Sequence, residues 1–176
     1  MTAFRHITLV TGGARSGKSA LAERLVARYD LSRFYIATAQ DGDGEMKERI
    51  KQHQIRRGES WKLLEEPVAL VAALRQTDGQ GVRLVDCLTL WLANCMDDAD
   101  MPELTMTLRQ QVSPVVLVTN ELGQGIVPGN AVARRFRDLH GWMNQSVAEV
   151  ADEVWMAVSG QPLRLKPGRE KLDEIL

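Results

Sequence analysis

Residues 12–19 read Gly-Gly-Ala-Arg-Ser-Gly-Lys-Ser, which fits G-x-x-x-x-G-K-[ST] and lies between the apolar run Ile7-Thr8-Leu9-Val10 and a stretch with helical spacing. That setting is the one a triphosphate-binding loop needs. Gly12 and Gly17 let the backbone curl until successive N–H groups point into one concavity, with Gly13, Ala14, Arg15 and Ser16 forming the turn between them. Lys18 adds a mobile ammonium for the outer phosphates, and Ser19 offers a hydroxyl to Mg²⁺. A helix starting near Lys18 would aim its positive end at the same point.

A second group could do covalent chemistry. Residues 45–57 read EMKERIKQHQIRR and have helical character; Met46, Ile50 and His53 fall on one stripe, and Arg49, Arg56 and Arg57 lie within a turn of the histidine. Neighbouring positive charge opposes protonation of the imidazole. A neutral histidine beside phosphate-binding arginines can attack phosphorus, because its lone pair is the nucleophile and the guanidinium groups offset charge on the phosphate oxygens. Periodicity alone favours the plainer role, an imidazole filling an amphipathic face. His6 and His140 have no comparable sequence setting and receive no role.

Such groups need a frame. Short apolar runs near 6–11, 33–38, 61–65, 82–87, 115–119 and 153–158 alternate with helix-period stretches, which predicts an α/β fold with a mainly parallel sheet and flanking helices. Pro67 predicts a helix through Arg75, Asn130 the cap of a long helix to about Val150, and Leu163-Arg164-Leu165-Lys166 an antiparallel edge strand. The segment from Asp97 to Pro102 reads as a surface loop. In an open parallel sheet, ligands lie beyond the carboxyl ends of the strands. Three strand ends carry acids or amides there: Asp86 after Val82-Arg83-Leu84-Val85, in the position that holds the Mg²⁺ shell beside Ser19, Glu65 after Leu63-Leu64, and the pair Asn120-Glu121 after Val118-Thr119. Asn120 is not followed by the lysine and aspartate of a guanine-reading N-K-x-D, which weighs against a regulatory GTPase.

With 176 residues and 44% hydrophobic content, the expectation is a single P-loop nucleotide-binding domain over 1–176, with 167–176 as a peripheral tail. A net charge of −1 gives no footprint for nucleic acid or anionic membrane. Cys87 and Cys95 form neither a zinc motif nor a disulfide framework, and no segment has eighteen uninterrupted apolar residues. A soluble, cytoplasmic protein is expected. Arg134, Arg135 and Arg137 read as the solvated face of a helix, although Arg134, Arg135 and the stretch from Gly123 to Asn130 are also candidates for substrate contact.

In order, the segments TGGARSGKS at 11–19, YIAT at 35–38, EMKERIKQH at 45–53, WKLLEE at 61–66, LVDCLTLWLAN at 84–94, VVLVTNELGQGIVP at 115–128 and ADEVWMAVSG at 151–160 resemble the bifunctional adenosylcobinamide kinase/adenosylcobinamide-phosphate guanylyltransferase family of cobalamin biosynthesis. The resemblance spans roughly residues 7–166. It implies phosphorylation of adenosylcobinamide with ATP or GTP, then transfer of GMP from GTP to that phosphate, with pyrophosphate released. It also implies a RecA-like P-loop NTPase sheet, a homotrimer and a guanylylated histidine that falls on His53. The family's nucleotide-binding positions carry over to residues 12–19, to Ile36, Ala37 and Thr38, to Gln54, Ile55, Arg56 and Arg57, and to Glu65 and Asp86. The sequence departs from the family at Gly58, where proline is frequent. Two other readings stay open here: a monofunctional P-loop small-molecule kinase, which leaves the arginine cluster unused, and a RecA-type module acting on DNA or protein.

Overall fold

The computed structural model describes residues 4–40 and 60–168. Seven strands form one sheet in the order β3-β2-β4-β5-β1-β6-β7: β1 Ile7–Gly12, β2 Arg33–Ala37, β3 Trp61–Glu65, β4 Val82–Asp86, β5 Val115–Val118, β6 Glu153–Val158 and β7 Gln161–Lys166. All neighbours run parallel except β6 and β7. This is the mainly parallel sheet with an antiparallel edge that the apolar spacing predicts. β1, β4 and β5 are mostly apolar and buried along nearly their whole length because helices cover both of their faces.

Among the described residues, five α-helices connect the strands: α1 Lys18–Val26, α2 Leu70–Thr77, α3 Leu88–Cys95, α4 Met101–Gln110 and α5 Ala131–Val150. On one face Ile7, Leu9, Ile36, Val85 and Leu117 pack with Leu70, Leu74, Trp91, Leu104, Met143 and Val147 from α2 to α5. On the other, Val10, Leu84, Val116 and Val118 pack with Leu21, Ala22, Leu25 and Val26 of α1. Fully burying a leucine or valine contributes roughly 1.5–3 kcal/mol, so both layers hold the central strands firmly.

Two elements differ from the sequence expectation. The helix after Pro67 begins only at Leu70 and runs on to Thr77, because the Glu66 carboxylate accepts the N–H groups of Val68 and Ala69 at 3.1 and 2.8 Å and keeps those residues in a turn. The acidic segment is not a plain loop. Residues 96–98 form a 3₁₀ turn, and Asp100 caps α4 by accepting the N–H of Glu103 at 2.8 Å, so Met101 and Pro102 are already helical. Asn130 caps α5 as expected, accepting from the Ala133 N–H at 2.7 Å.

At the opposite end of the sheet from the strand ends discussed below, Arg83 is fully buried and pairs with Asp78 at 3.0 Å while donating to Gln111 Oε1 and, at 3.3 Å, to Gly81 O. Desolvation pushes its pKa below the usual guanidinium value, and Asp78 opposes that shift. Asp78 also accepts the backbone N–H groups of Val112 and Ser113, which ties the turn after α2 to the entry of β5.

Candidate functional site

The carboxyl ends of five strands line up. Glu65 stands in register with Ala37, Ala37 with Asp86, Asp86 with Val118, and Val118 with Val10. The loop 13–17 leaves β1 at the end of this row and passes directly into α1. Its backbone needs its glycines. Gly12 has φ +152° and Gly17 φ +93°; a Cβ on Gly12 would stand 2.6 Å from both the Ala157 carbonyl and Ser16 Oγ. Arg15 takes a left-handed φ of 55° at the crest of the turn and is exposed with Ala14. Lys18 Nζ donates to Gly13 O at 3.0 Å, folding back along the loop, and Ser19 is half-buried one residue into α1. Ser16 is buried, and no partner for its hydroxyl is found among the described residues.

Asp86 closes β4 two strands from the loop, half-buried, with Oδ2 receiving the Tyr35 hydroxyl at 2.6 Å. Ile36 is buried in β2, whereas Ala37 is half-buried at the strand end. Thr38 is buried and ties β2 to β4: its hydroxyl donates to Cys87 O and accepts from Cys87 N, both at 2.7 Å, and its N–H reaches Asp86 O at 3.1 Å. Asn94 of α3 donates to the carbonyls of Thr38 and Pro67 at 2.8 and 2.9 Å, which holds the ends of β2 and β3 together. Glu65 is exposed at the end of β3. His53, Gln54, Ile55, Arg56 and Arg57, with the helix expected over 45–57, lie outside the described residues.

The strand-end candidate Glu121, the hairpin tip and the arginines of α5 make further contacts. Glu121, just beyond β5, accepts the Thr11 hydroxyl and gives its N–H to Gly12 O at 3.3 Å. The β6–β7 hairpin turns through Ser159 and Gly160, both at positive φ, and Gly160 N donates to Ser16 O at 2.9 Å, so the hairpin tip lies against the phosphate-type loop. Arg134 donates to the carbonyls of Pro128 and Gly129 at 2.9 and 3.0 Å, fastening the preceding loop; Arg135 pairs with Asp97 at 2.7 Å on the surface. The contacts of Glu121 with Thr11, Gly160 with Ser16 and Arg135 with Asp97 could not be found from spacing, since these partners are far apart in sequence.

A model of the family described as cobinamide kinase / cobinamide phosphate guanyltransferase matches residues 8–165. This chain belongs to the CobU family. It is 48% identical to the bifunctional adenosylcobalamin biosynthesis protein CobP of Pseudomonas aeruginosa, over 90% of this chain and 96% of that one. It is 38% identical to the CobU protein of Escherichia coli over 90% and 98%, and likewise 38% identical to that of Salmonella typhimurium. Among solved structures, the flagellar accessory protein FlaH from Methanocaldococcus jannaschii aligns with TM-score 0.53 at 13% identity, covering 97% of this chain and 84% of that chain. An ATPase from the type III secretion system of pathogenic bacteria aligns with TM-score 0.55 at 11% identity, covering 87% and 51%. These likenesses establish the P-loop NTPase fold alone.

As a CobU-family enzyme, the protein is a cobinamide kinase and cobinamide phosphate guanyltransferase. The groups brought together suit phosphoryl chemistry: backbone donors and an ammonium at one strand end, and carboxylates at its neighbours. Among the described residues, no helix is long and apolar enough to cross a membrane, and no group of three or more His, Cys, Asp or Glu could hold a metal.

Proposed function

We propose that this CobU-family enzyme carries out two successive transfers of adenosylcobalamin biosynthesis in the cytoplasm, as a homotrimer. The loop 12–19 grips the triphosphate of ATP or GTP, with Lys18 on the outer phosphates. In the first transfer the aminopropanol hydroxyl of adenosylcobinamide attacks the γ-phosphorus in line, and the nucleoside diphosphate leaves. In the second, a ring nitrogen of His53 attacks the α-phosphorus of GTP, the bond to the β-phosphate oxygen breaks, and pyrophosphate departs. An oxygen of adenosylcobinamide phosphate then attacks the same phosphorus, the P–N bond breaks, and adenosylcobinamide-GDP forms with the imidazole restored. Arg56 and Arg57 offset charge on the phosphate oxygens, while Gln54, Ile55, Ile36, Ala37, Thr38 and Glu65 line the nucleotide.

The observation that carries this reading is the alignment of the loop 12–19 with Asp86, two strands apart on one sheet edge, in a chain that matches the family over residues 8–165. Ser19 and Asp86 are hard oxygen donors of the kind Mg²⁺ takes and would hold it, with Tyr35 fixing the Asp86 carboxylate through Oδ2. Magnesium bound there would neutralise charge on the β- and γ-phosphate oxygens.

Incubation of the protein with α-labelled GTP and Mg²⁺ should leave acid-labile, alkali-stable label on the chain, lost in His53→Ala. A wild-type chain without label, or a labelled His53→Ala chain, overturns the covalent step and leaves a phosphotransferase.

A further inference from the structure

His140, the residue that sequence reasoning set aside, is 1% exposed in the middle of α5 and stands behind the strand end that flanks the loop 12–19. Its Nε2 lies 2.9 Å from Thr89 Oγ1 and 3.2 Å from Thr119 Oγ1. Thr89 Oγ1 accepts the backbone N–H of Asn120 at 3.0 Å, and Asn144 Nδ2 donates to the backbone carbonyl of Asn120 at 3.0 Å. Both backbone polar groups of Asn120 are therefore held by side chains of α3 and α5.

Proton directions follow from that carbonyl. Asn120 O can only accept, so Asn144 presents its amide nitrogen there and its oxygen to Thr119. The Thr119 hydroxyl gives its single proton to Asn144 Oδ1 at 2.8 Å, so towards His140 it can only accept. The 3.2 Å contact to Thr119 is a hydrogen bond only with the proton on Nε2, an arrangement that shares this proton between the two threonine oxygens and points the Thr89 hydroxyl to Thr119 at 3.4 Å. Burial holds the imidazole pKa down to about 4, so the ring stays neutral at working pH.

The geometry points to His140 as a positioning residue for the segment Thr119–Glu121, acting as a neutral Nε2–H donor that sets how Asn120 and Glu121 meet the phosphate loop. The chain of contacts runs from His140 through Thr89 and Thr119 to Asn120, and from its neighbour Glu121 to Thr11 and Gly12. The inference rests on residues 12–19 holding the nucleotide, and a misplacement there of about 1 Å is enough to cost roughly 100-fold in rate.

Full-length wild type, His140→Gln and His140→Met are compared for GTP affinity, melting temperature, and kcat and KM of cobinamide phosphorylation. Glutamine returns an N–H donor near the Nε2 position; methionine fills the space without one. We expect kcat to fall about 10–100-fold in His140→Met with GTP affinity within about threefold, and glutamine to recover most of the loss. Wild-type kcat in His140→Met overturns the proposal, as does an equal loss of kcat in both variants. Should His140→Met fail to fold, Thr89→Val decides: reduced kcat with GTP still bound supports the role, and unchanged kcat refutes it. The ¹⁵N spectrum of histidine-labelled wild type, assigned by subtraction of His140→Gln, must show the neutral Nε2–H tautomer at pH 7; an Nδ1–H tautomer or an imidazolium refutes the inference. A wild type inactive on cobinamide counts against the proposed function, while the spectrum judges His140 separately.

Discussion

Gly17 has a φ of +93° and lies against the hairpin tip, where an added Cβ would come within 3.2 Å of Gly160 Cα. Gly17→Ala is expected to destabilise the chain by about 1–2 kcal/mol and to weaken GTP binding more than tenfold, which thermal melts and titration calorimetry would read. Lys18→Ala should abolish both transfers, whereas His53→Ala should lose guanylylation and keep phosphorylation, measured by separate assays of the two products. His140 gives a further test. Folded, it protonates near pH 4; its ordinary value is 6.5, so between these limits the unfolded chain binds more protons. Its contribution is whole above pH 6.5 and drains by up to about 3 kcal/mol as pH falls towards 4. Urea midpoints at pH 7 and 4.5 should therefore differ less in His140→Gln than in wild type. The glycines and Lys18 were legible because a tight phosphate turn imposes residue types on consecutive positions. His140 was not, since its partners Thr89 and Thr119 are 51 and 21 residues away.

At the scale of elements, the six strands β1 to β6 were legible to within about a residue because β1, β4 and β5 are covered on both faces and are mostly apolar. Helix starts were less so. Proline and acidic residues mark a turn or a first helical turn equally well, and at Glu66 and Asp100 the side-chain hydrogen bonds decide which. Nor did the apolar run around it warn that Arg83 sits fully buried inside the sheet, since its partners Asp78 and Gln111 lie outside the strand. Its pair with Asp78 gives an element-scale prediction: Asp78→Ala strands a buried cation and frees the N–H groups of Val112 and Ser113, so it should cost about 3–5 kcal/mol in urea unfolding. Arg83→Met in the same background should recover part of that loss.

For the whole molecule, one apolar layer is covered by four helices and the other by α1. Outside those layers, Ile126, Val127, Val132 and Trp142 are exposed by 97%, 61%, 67% and 63% along the loop before α5 and on α5 itself. A trimer would bury such groups, and light scattering after gel filtration should give three times the 19.6 kDa chain mass. A chain eluting at its own mass would end that part of the reading.

β1 lies between β5 and β6, and the loop it feeds is closed over by the tip of the last hairpin. A chain emerging from the ribosome thus exposes its nucleotide grip first and finishes it last. On the proposed reading, until roughly residue 160 is free of the exit tunnel the loop lacks the Gly160 contact to Ser16, so GTP is expected to protect a finished protein from unfolding more than a nascent one. Pulse-labelled translation intermediates should accordingly gain protease resistance from GTP only once the hairpin has been made.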